Sequence, residues 1–268
     1  MSKIELNARE ILYLSALAGA TEFIGIPDGF YGMDELEIQQ EILKIQSELE
    51  RRGYAQADFD GNFSPTADVM QVVQLCAMCD KYISVDKISA LNNPEKLLFY
   101  VCNDRIIKVE AASDIFELTF VNPSDINSYI LEQINWITQD EKDGADKVVI
   151  PQNLLAQVKG SIENDRTKEG AEVLYGAGCN NIQAQIIYSG LSGASNYYSV
   201  IIVDFNSEEN DVMSIMVINS KIGSLEIIPV DAGGKEAVVF DTIDYEAFKR
   251  KLSNALSLIG IENGGDFK

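Results

Sequence analysis

The chain of 268 residues contains no histidine. Histidine is the commonest general base of enzymes, the side chain that titrates near neutral pH and the most frequent protein ligand of transition metals. Its absence excludes Ser-His-Asp and Cys-His catalytic arrangements. The acidic and hydroxyl residues that are present form no recognisable catalytic motif, so we expect that the protein is not an enzyme.

Cysteine is scarce, with four residues at Cys76, Cys79, Cys102 and Cys179. Four cysteines are too few for a disulfide scaffold in a chain of this length. Cys76 and Cys79 form a CxxC pair, which together with the other two could supply four thiolates to zinc. A second closely spaced pair is missing, however, and the CxxC falls in an apolar segment predicted to be helical. We expect packing residues and no metal or other cofactor; a redox or zinc role is the alternative.

Basic residues are half as numerous as acidic ones, 21 against 42, which gives a net charge of −21. Nucleic acids and anionic membranes bind proteins through lysine and arginine. We therefore expect neither nucleic acid nor membrane as a partner. The charge could attract a basic protein, or it could serve solubility alone.

Long hydrophobic runs are also missing. No segment reaches the roughly 18 apolar residues of a membrane-spanning helix. The first ten residues are polar and of mixed charge, without the basic and then apolar order of a secretory signal. We expect a cytoplasmic protein.

Hydrophobic periodicity predicts the elements of the N-terminal half, residues 1–138. Apolar residues at helical spacing predict helices over 8–19 and 34–52, and Asp60-Gly61 predicts a hairpin over 54–63. Ser64-Pro65 is typical of a helix start, and that helix continues to about Cys79. Two helices followed by a hairpin resemble a winged helix. Four strands and a helix follow, over 81–88, 96–102, 105–111, 115–121 and 126–137.

The C-terminal half, residues 139–268, begins with a polar linker over 139–147. The pattern predicts helices over 151–162 and 167–176; residues 181–191 are ambiguous between helix and strand, and we favour a helix. Pro229 favours an edge position for its strand, because proline cannot donate to a central ladder. The four strands and the last helix are predicted over 196–205, 211–219, 224–231, 236–241 and 243–259.

The two halves share an order of elements. Residues 65–137 and 181–259 each read helix, four strands, helix. We therefore predict an α+β fold, a pseudo-twofold repeat of helix, antiparallel β-meander and helix with an N-terminal winged-helix-like segment. We expect the two halves to form one integrated domain.

Two weaker motifs are better explained as turns. Asp58-Phe59-Asp60-Gly61-Asn62 begins like a calcium loop, but Phe63 and Val69 occupy the positions where an EF-hand needs glycine and glutamate. The glycine-containing segments 176–178 and 190–193 lack the spacing of nucleotide-binding loops.

The N-terminal stretch resembles the EspG proteins of type VII secretion. The resemblance rests on a first helix containing Glu10-Ile11-Leu12-Tyr13, a break over 27–32, and a long helix that starts at Asp34 and ends with Leu49-Glu50-Arg51-Arg52-Gly53-Tyr54. A short wing to Phe63-Ser64-Pro65 follows. The pattern is carried by residues of about 10–80, and the later order of elements agrees over nearly the whole chain.

The resemblance implies a cytoplasmic chaperone that holds the apolar tip of a helical secretion substrate before export. It also implies that the loop between the early strands of the first meander contributes to docking. Here that loop contains Leu91, Asn92, Asn93, Pro94 and Glu95. Leu91 would be the apolar anchor, and the two asparagines would form hydrogen bonds beside it.

Two departures leave the cargo open. The entry to the long helix reads Gly32-Met33-Asp34 where EspG proteins carry a Gly-Arg-Thr-like sequence, and segment 219–224 lacks the arginine of their second meander. The partner could be a PE–PPE-like, WXG-like or LXG-like protein. Alternatives from other classes are an immunity or adaptor protein that binds a secreted toxin, a regulator that binds DNA through the wing, and an enzyme of unknown type.

Overall fold

A computed structural model describes residues 3–20, 23–58, 62–89, 92–112, 114–137, 147–207 and 211–261. Its N-terminal elements are β1 (Ile4–Asn7), α1 (Ala8–Leu17), α2 (Glu35–Arg51), β2 (Ala55–Ala57), β3 (Phe63–Pro65), α3 (Ala67–Ala77), β4 (Lys81–Ser89), β5 (Asn92–Cys102), β6 (Arg105–Ala112), β7 (Ile115–Val121), a 3₁₀ turn (Pro123–Asp125) and α4 (Ile126–Ile134).

The C-terminal elements are β8 (Val148–Pro151), α5 (Gln152–Glu163), α6 (Thr167–Gly176), α7 (Asn181–Leu191), β9 (Asn196–Asp204), β10 (Asp211–Ser220), β11 (Gly223–Asp231), β12 (Glu236–Thr242) and α8 (Tyr245–Leu258). Both predicted meanders are therefore present, each between two helices, and the α+β class with its repeated order of elements is confirmed. The ambiguous segment 181–191 is helical, as we favoured.

Ten strands are hydrogen-bonded neighbours in the order β1-β7-β6-β5-β4-β9-β10-β11-β12-β8, and β2 and β3 form a separate pair. Each meander keeps its sequential order, as short antiparallel connections require. Strands β1 and β8 were not anticipated. Each has four residues and pairs with the last strand of a meander, with Ile4 opposite Leu118 and Val148 opposite Phe240.

The edge position expected for Pro229 is wrong. Its strand β11 lies between β10 and β12, and Pro229 is opposite Val238 of β12. Alternate residues of an antiparallel strand direct their N–H groups to opposite neighbours. A single proline therefore removes a hydrogen bond on one side only, and Pro229 is exposed near the end of its strand.

The chain packs into two compact units, each drawn from three stretches. The first unit consists of Met1–Ile83, Leu97–Pro123 and Val203–Asp211, and the second of Ser84–Lys96, Ser124–Ile202 and Val212–Lys268. Strands β4, β5, β9 and β10 each contribute residues to both units. Whether the two sequence halves act as one integrated domain stays a prediction.

The core of the first unit is formed by the apolar faces of α1, α2 and α3 together with buried side chains of its strands. Fully buried members include Leu6, Ile11, Leu14, Leu49 and Val73. Val203 and Phe205, from the late stretch of the unit, pack against this core. The backbone N–H of Phe205 donates to the carbonyl of Asp80 over 2.9 Å, which attaches the late stretch to the segment between α3 and β4.

The second unit has its own core between α5, α6, α7 and one face of its strands. Ile150, Val158, Leu174 and Ile187 are each 0% exposed there. Trp136 packs elsewhere in this unit, with its ring 5.2 Å from that of Phe248 on α8.

Three helices begin with a reciprocal cap, in which the cap side chain and the side chain three residues later each accept a backbone N–H. The pairs are Asn7 with Glu10, Asp34 with Glu37, and Asn180 with Gln183. These caps satisfy N–H groups that a helix start otherwise leaves unpaired.

Arg52 connects the end of α2 to the start of α1. Its guanidinium donates to the carboxylate of Glu10, which is only 2% exposed, and to the carbonyl of Glu5 over 2.9 Å. It also lies 5.0 Å from the ring centroid of Tyr54. Gly53, at φ 74°, allows the reversal between these two residues. The Arg-Gly-Tyr sequence that ends the long helix thus has a structural explanation.

Two helical glycines should respond in opposite directions to alanine. A Cβ on Gly190 of α7 would lie 2.6 Å from Cδ1 of Ile218, whereas a Cβ on Gly160 of α5 would meet nothing within 4 Å. We expect Gly160→Ala to raise the free energy of unfolding by about 0.5–1 kcal/mol, because alanine favours a helix. We expect Gly190→Ala to lower it by about 1–2 kcal/mol, because the methyl overpacks the contact. Urea unfolding of both variants tests this, and shifts in the same direction would contradict it.

Candidate partner-binding site

The predicted docking loop lies at the tip of the hairpin formed by β4 and β5. The strands extend further than the sequence predicted, so the backbone from Asn92 to Glu95 belongs to β5. Leu91 lies outside the described residues, as do the side chains of Asn92, Asn93 and Pro94. Glu95 is the one predicted residue whose side-chain contacts are described.

Two ion pairs join the strands behind the tip. Lys87 contacts Glu95 over 3.1 Å, and Lys96 contacts Asp86 over 3.6 Å. Asp86 also accepts a hydrogen bond of 2.8 Å from the hydroxyl of Ser84. Paired charges on opposite strands fix the register of a hairpin more than they stabilise it, because exposed ion pairs are weak.

Glu95 is connected to two further elements of the second unit. Nε2 of Gln133 on α4 donates to its carboxylate over 3.4 Å. Burial raises the pKa of Tyr198 on β9, and the charge of Glu95 contributes to that rise. Glu95 therefore connects the part of β5 next to the tip with β4 and with α4.

Ile88 is a candidate that the sequence analysis missed. It is the last residue but one of β4 and is 49% exposed, beside the tip. Its signal in the sequence is an isolated apolar residue within the otherwise polar run Asp86-Lys87-Ile88-Ser89. An exposed apolar side chain here is suited to contact a partner.

The thiols have the properties of packing residues. Burial raises the pKa of Cys76 well above its ordinary value, that of Cys79 to about 12 and that of Cys179 to about 11. Burial is also the main cause of the raised pKa of Cys102. Thiols that stay protonated near neutral pH are poor nucleophiles and poor metal ligands. Among the residues that the structure describes, no three histidine, cysteine or acidic side chains are grouped to hold a metal ion.

The pKa of Cys79 predicts a specific dependence of stability on pH. Above pH 9 the unfolded thiol ionises while the folded one stays protonated to about pH 12. The thiol therefore lowers the free energy of unfolding as pH rises through this window, by up to about 1.4 kcal/mol per pH unit. At pH 7 we expect Cys79→Ala to have a lower free energy of unfolding than the wild type, because it loses the packing of the thiol. By pH 11 this difference should disappear, because the thiol destabilises only the wild type as pH rises. Parallel urea titrations test this. A deficit that does not change with pH would contradict the raised pKa, and stoichiometric zinc in the purified protein would contradict the packing role.

The segment resembling a calcium loop lies between β2 and β3, and its two described residues are hydrogen-bonded to each other. The carboxylate of Asp58 accepts hydrogen bonds of 2.8 Å from both the backbone and the side-chain amide of Asn62. Residues 59–61 lie outside the described part of the chain.

The described helices include none that is long and apolar enough to cross a membrane.

Comparison with known proteins identifies the fold. No protein-family model matches the sequence, and no curated protein matches it. The structure is similar to that of the Mycobacterium tuberculosis type VII secretion system chaperone EspG5, solved in complex with a PE25–PPE41 dimer. The TM-score is 0.58 at 9% sequence identity, over 100% of this chain and 99% of EspG5. At so low an identity the agreement concerns the fold, and this chain has an EspG-like fold.

Proposed function

We propose that this protein is a cytoplasmic, non-catalytic chaperone that binds the apolar tip of a helical type VII secretion substrate and keeps it soluble before export. The observation that carries the proposal is the similarity of fold to EspG5 over both complete chains. A helical hairpin with an exposed apolar tip self-associates, because large exposed apolar patches are aggregation sites. A cover for that tip must also release it, which favours an interface of standard rather than obligate size.

The β4–β5 hairpin is the proposed docking element. It carries exposed Ile88 beside the tip, and its register is supported by the ion pairs of Lys87 and Lys96. Leu91 is proposed as the anchor, with Asn92 and Asn93 as hydrogen-bonding neighbours and Pro94 and Glu95 completing the segment. The substrate is a PE–PPE-like, WXG-like or LXG-like helical protein.

The test is to isolate the affinity-tagged protein from its native cell and to identify the protein that co-purifies. The co-purified protein is then expressed alone and with the chaperone, and light scattering measures its aggregation. We expect a helical secretion substrate that aggregates alone and stays soluble in the complex. Recovery of a folded toxin domain instead would contradict the chaperone proposal and support an immunity function.

A further inference from the structure

A second apolar surface lies on the first unit, within residues that the β4–β5 hairpin does not use. Two adjoining depressions of about 500 Å³ and about 370 Å³ share Ala20 and Ile24 as lining residues. The larger is lined by α1 and by the segment that follows it, and the smaller by Phe205 and the end of α3. We call the pair the Ile24 groove.

The Ile24 groove exposes apolar side chains. Ile24 is 42% exposed and Met78 is 59% exposed. Cys79, also in the lining, carries an uncharged thiol near neutral pH, and burial raises its pKa further, to about 12. Apolar residues exposed in a concave surface are typical of a binding site.

The polar groups of the groove are already engaged within the protein. The hydroxyl of Ser15 donates to the carbonyl of Ile11 over 2.7 Å, and the carbonyl of Ile24 accepts from the hydroxyl of Tyr100 over 2.6 Å. Small-molecule sites need free polar groups that fix the orientation of the ligand. This groove offers apolar contact and the negative charge of Asp28, which suits the apolar face of a peptide better than a small ligand.

Charge determines the kind of peptide. Among the residues that the structure describes, no lysine or arginine lines either depression. The first unit carries 22 acidic and 8 basic residues, a net charge of −14 out of the −21 of the whole chain. This charge repels a second copy of the protein and acidic segments, and it attracts cationic ones.

We propose that the Ile24 groove binds an amphipathic helix of another protein, whose apolar face is flanked by lysine and arginine. Helices that bind in grooves anchor apolar side chains spaced three or four residues apart. The basic flanks would face the acidic surface of the first unit. The site is independent of the secretion substrate proposed for the hairpin.

The probe is a fluorescein-labelled helical peptide of about 18 residues, made of leucine on one face and lysine on the other. Its control is the same peptide with glutamate in place of lysine. We expect fluorescence anisotropy to show binding of the lysine peptide at least about tenfold tighter than that of the glutamate peptide. Equal affinities for the two peptides would overturn the proposal.

Matched protein variants locate the contact. Met78→Lys places a positive charge in the groove, whereas Leu43→Lys makes the same change on the 66% exposed Leu43 of α2, outside it. We expect Met78→Lys to weaken binding of the lysine peptide at least about tenfold and Leu43→Lys less than about twofold. Equal losses would show non-specific attraction to the acidic surface and would overturn the proposal.

Two further measurements keep the test decisive. If Met78→Lys lowers the melting temperature, Ile24→Lys replaces it as the groove variant. In the wild type, the bound peptide should protect the backbone amides of residues 12–20, 23–30 and 76–79 from hydrogen exchange. Protection confined to other segments would overturn the site. Leu91→Asp should leave peptide binding unchanged, so failure of this site is distinguishable from failure of the proposed chaperone function.

Discussion

Arg52→Ala should lower the free energy of unfolding by about 3 kcal/mol or more, because it leaves the buried carboxylate of Glu10 without its charged partner. Glu10 is 2% exposed and receives the guanidinium directly. The variant also loses the hydrogen bond to the carbonyl of Glu5 and the contact with the ring of Tyr54. Urea unfolding followed by circular dichroism measures the change.

The neighbouring arginine is the matched control. Arg51 pairs with Glu48 on the helix surface, and its side chain is 70% exposed. We expect Arg51→Ala to change the free energy of unfolding by less than about 1 kcal/mol. The double variant Glu10→Ala, Arg52→Ala should lose less than the sum of the two single variants, since the buried charge is then removed with its partner. Equal effects of the two arginine variants would contradict the assigned role of the Glu10–Arg52 pair.

Leu91→Asp should weaken binding of the co-purified helical substrate at least about tenfold, because a carboxylate would be buried in an apolar contact. The prediction rests on the proposed function and on the place of Leu91 in the sequence, between β4 and β5. Calorimetry with the purified substrate measures the affinity, and a melting curve of each variant shows whether the fold is intact.

Leu43→Asp is the control for this experiment, because it makes the same change on an exposed leucine of α2, away from the hairpin. We expect it to keep the affinity of the wild type. If Leu91→Asp also keeps that affinity, the docking site lies elsewhere. If the wild type binds no helical substrate at all, the chaperone proposal is wrong.

Local patterns predicted much of the fold, because its helices and meanders carry strong periodicity. The long helix α2 shows this best, since Asp34 caps its start and Ile45 and Leu49 fall on its buried face. Strands β1 and β8 were missed because four residues with alternating burial carry too little pattern. They become strands by pairing with the last strand of a meander, and such long-range pairing leaves no local signal.

The contacts of the candidate site were less predictable for the same reason. The segment from Asn92 to Glu95 reads as a loop because asparagine and proline favour turns. Pairing between β4 and β5 overrides that preference, and the Lys87–Glu95 and Lys96–Asp86 ion pairs accompany it. The Glu10–Arg52 pair is also long-range, since its two residues are 42 apart in sequence. The sequence around either residue does not indicate that they form a pair.

The late stretch containing Phe205 has a consequence for synthesis of the protein. The first unit includes Val203–Asp211, so a nascent chain that ends before this stretch lacks part of the packing against its first core. Folding of the first unit on the ribosome therefore cannot be completed until more than three quarters of the 268 residues have been translated. Contacts of such high sequence separation close slowly, because a long loop must first be ordered. During that interval the part of the first core against which Val203 and Phe205 later pack stays uncovered.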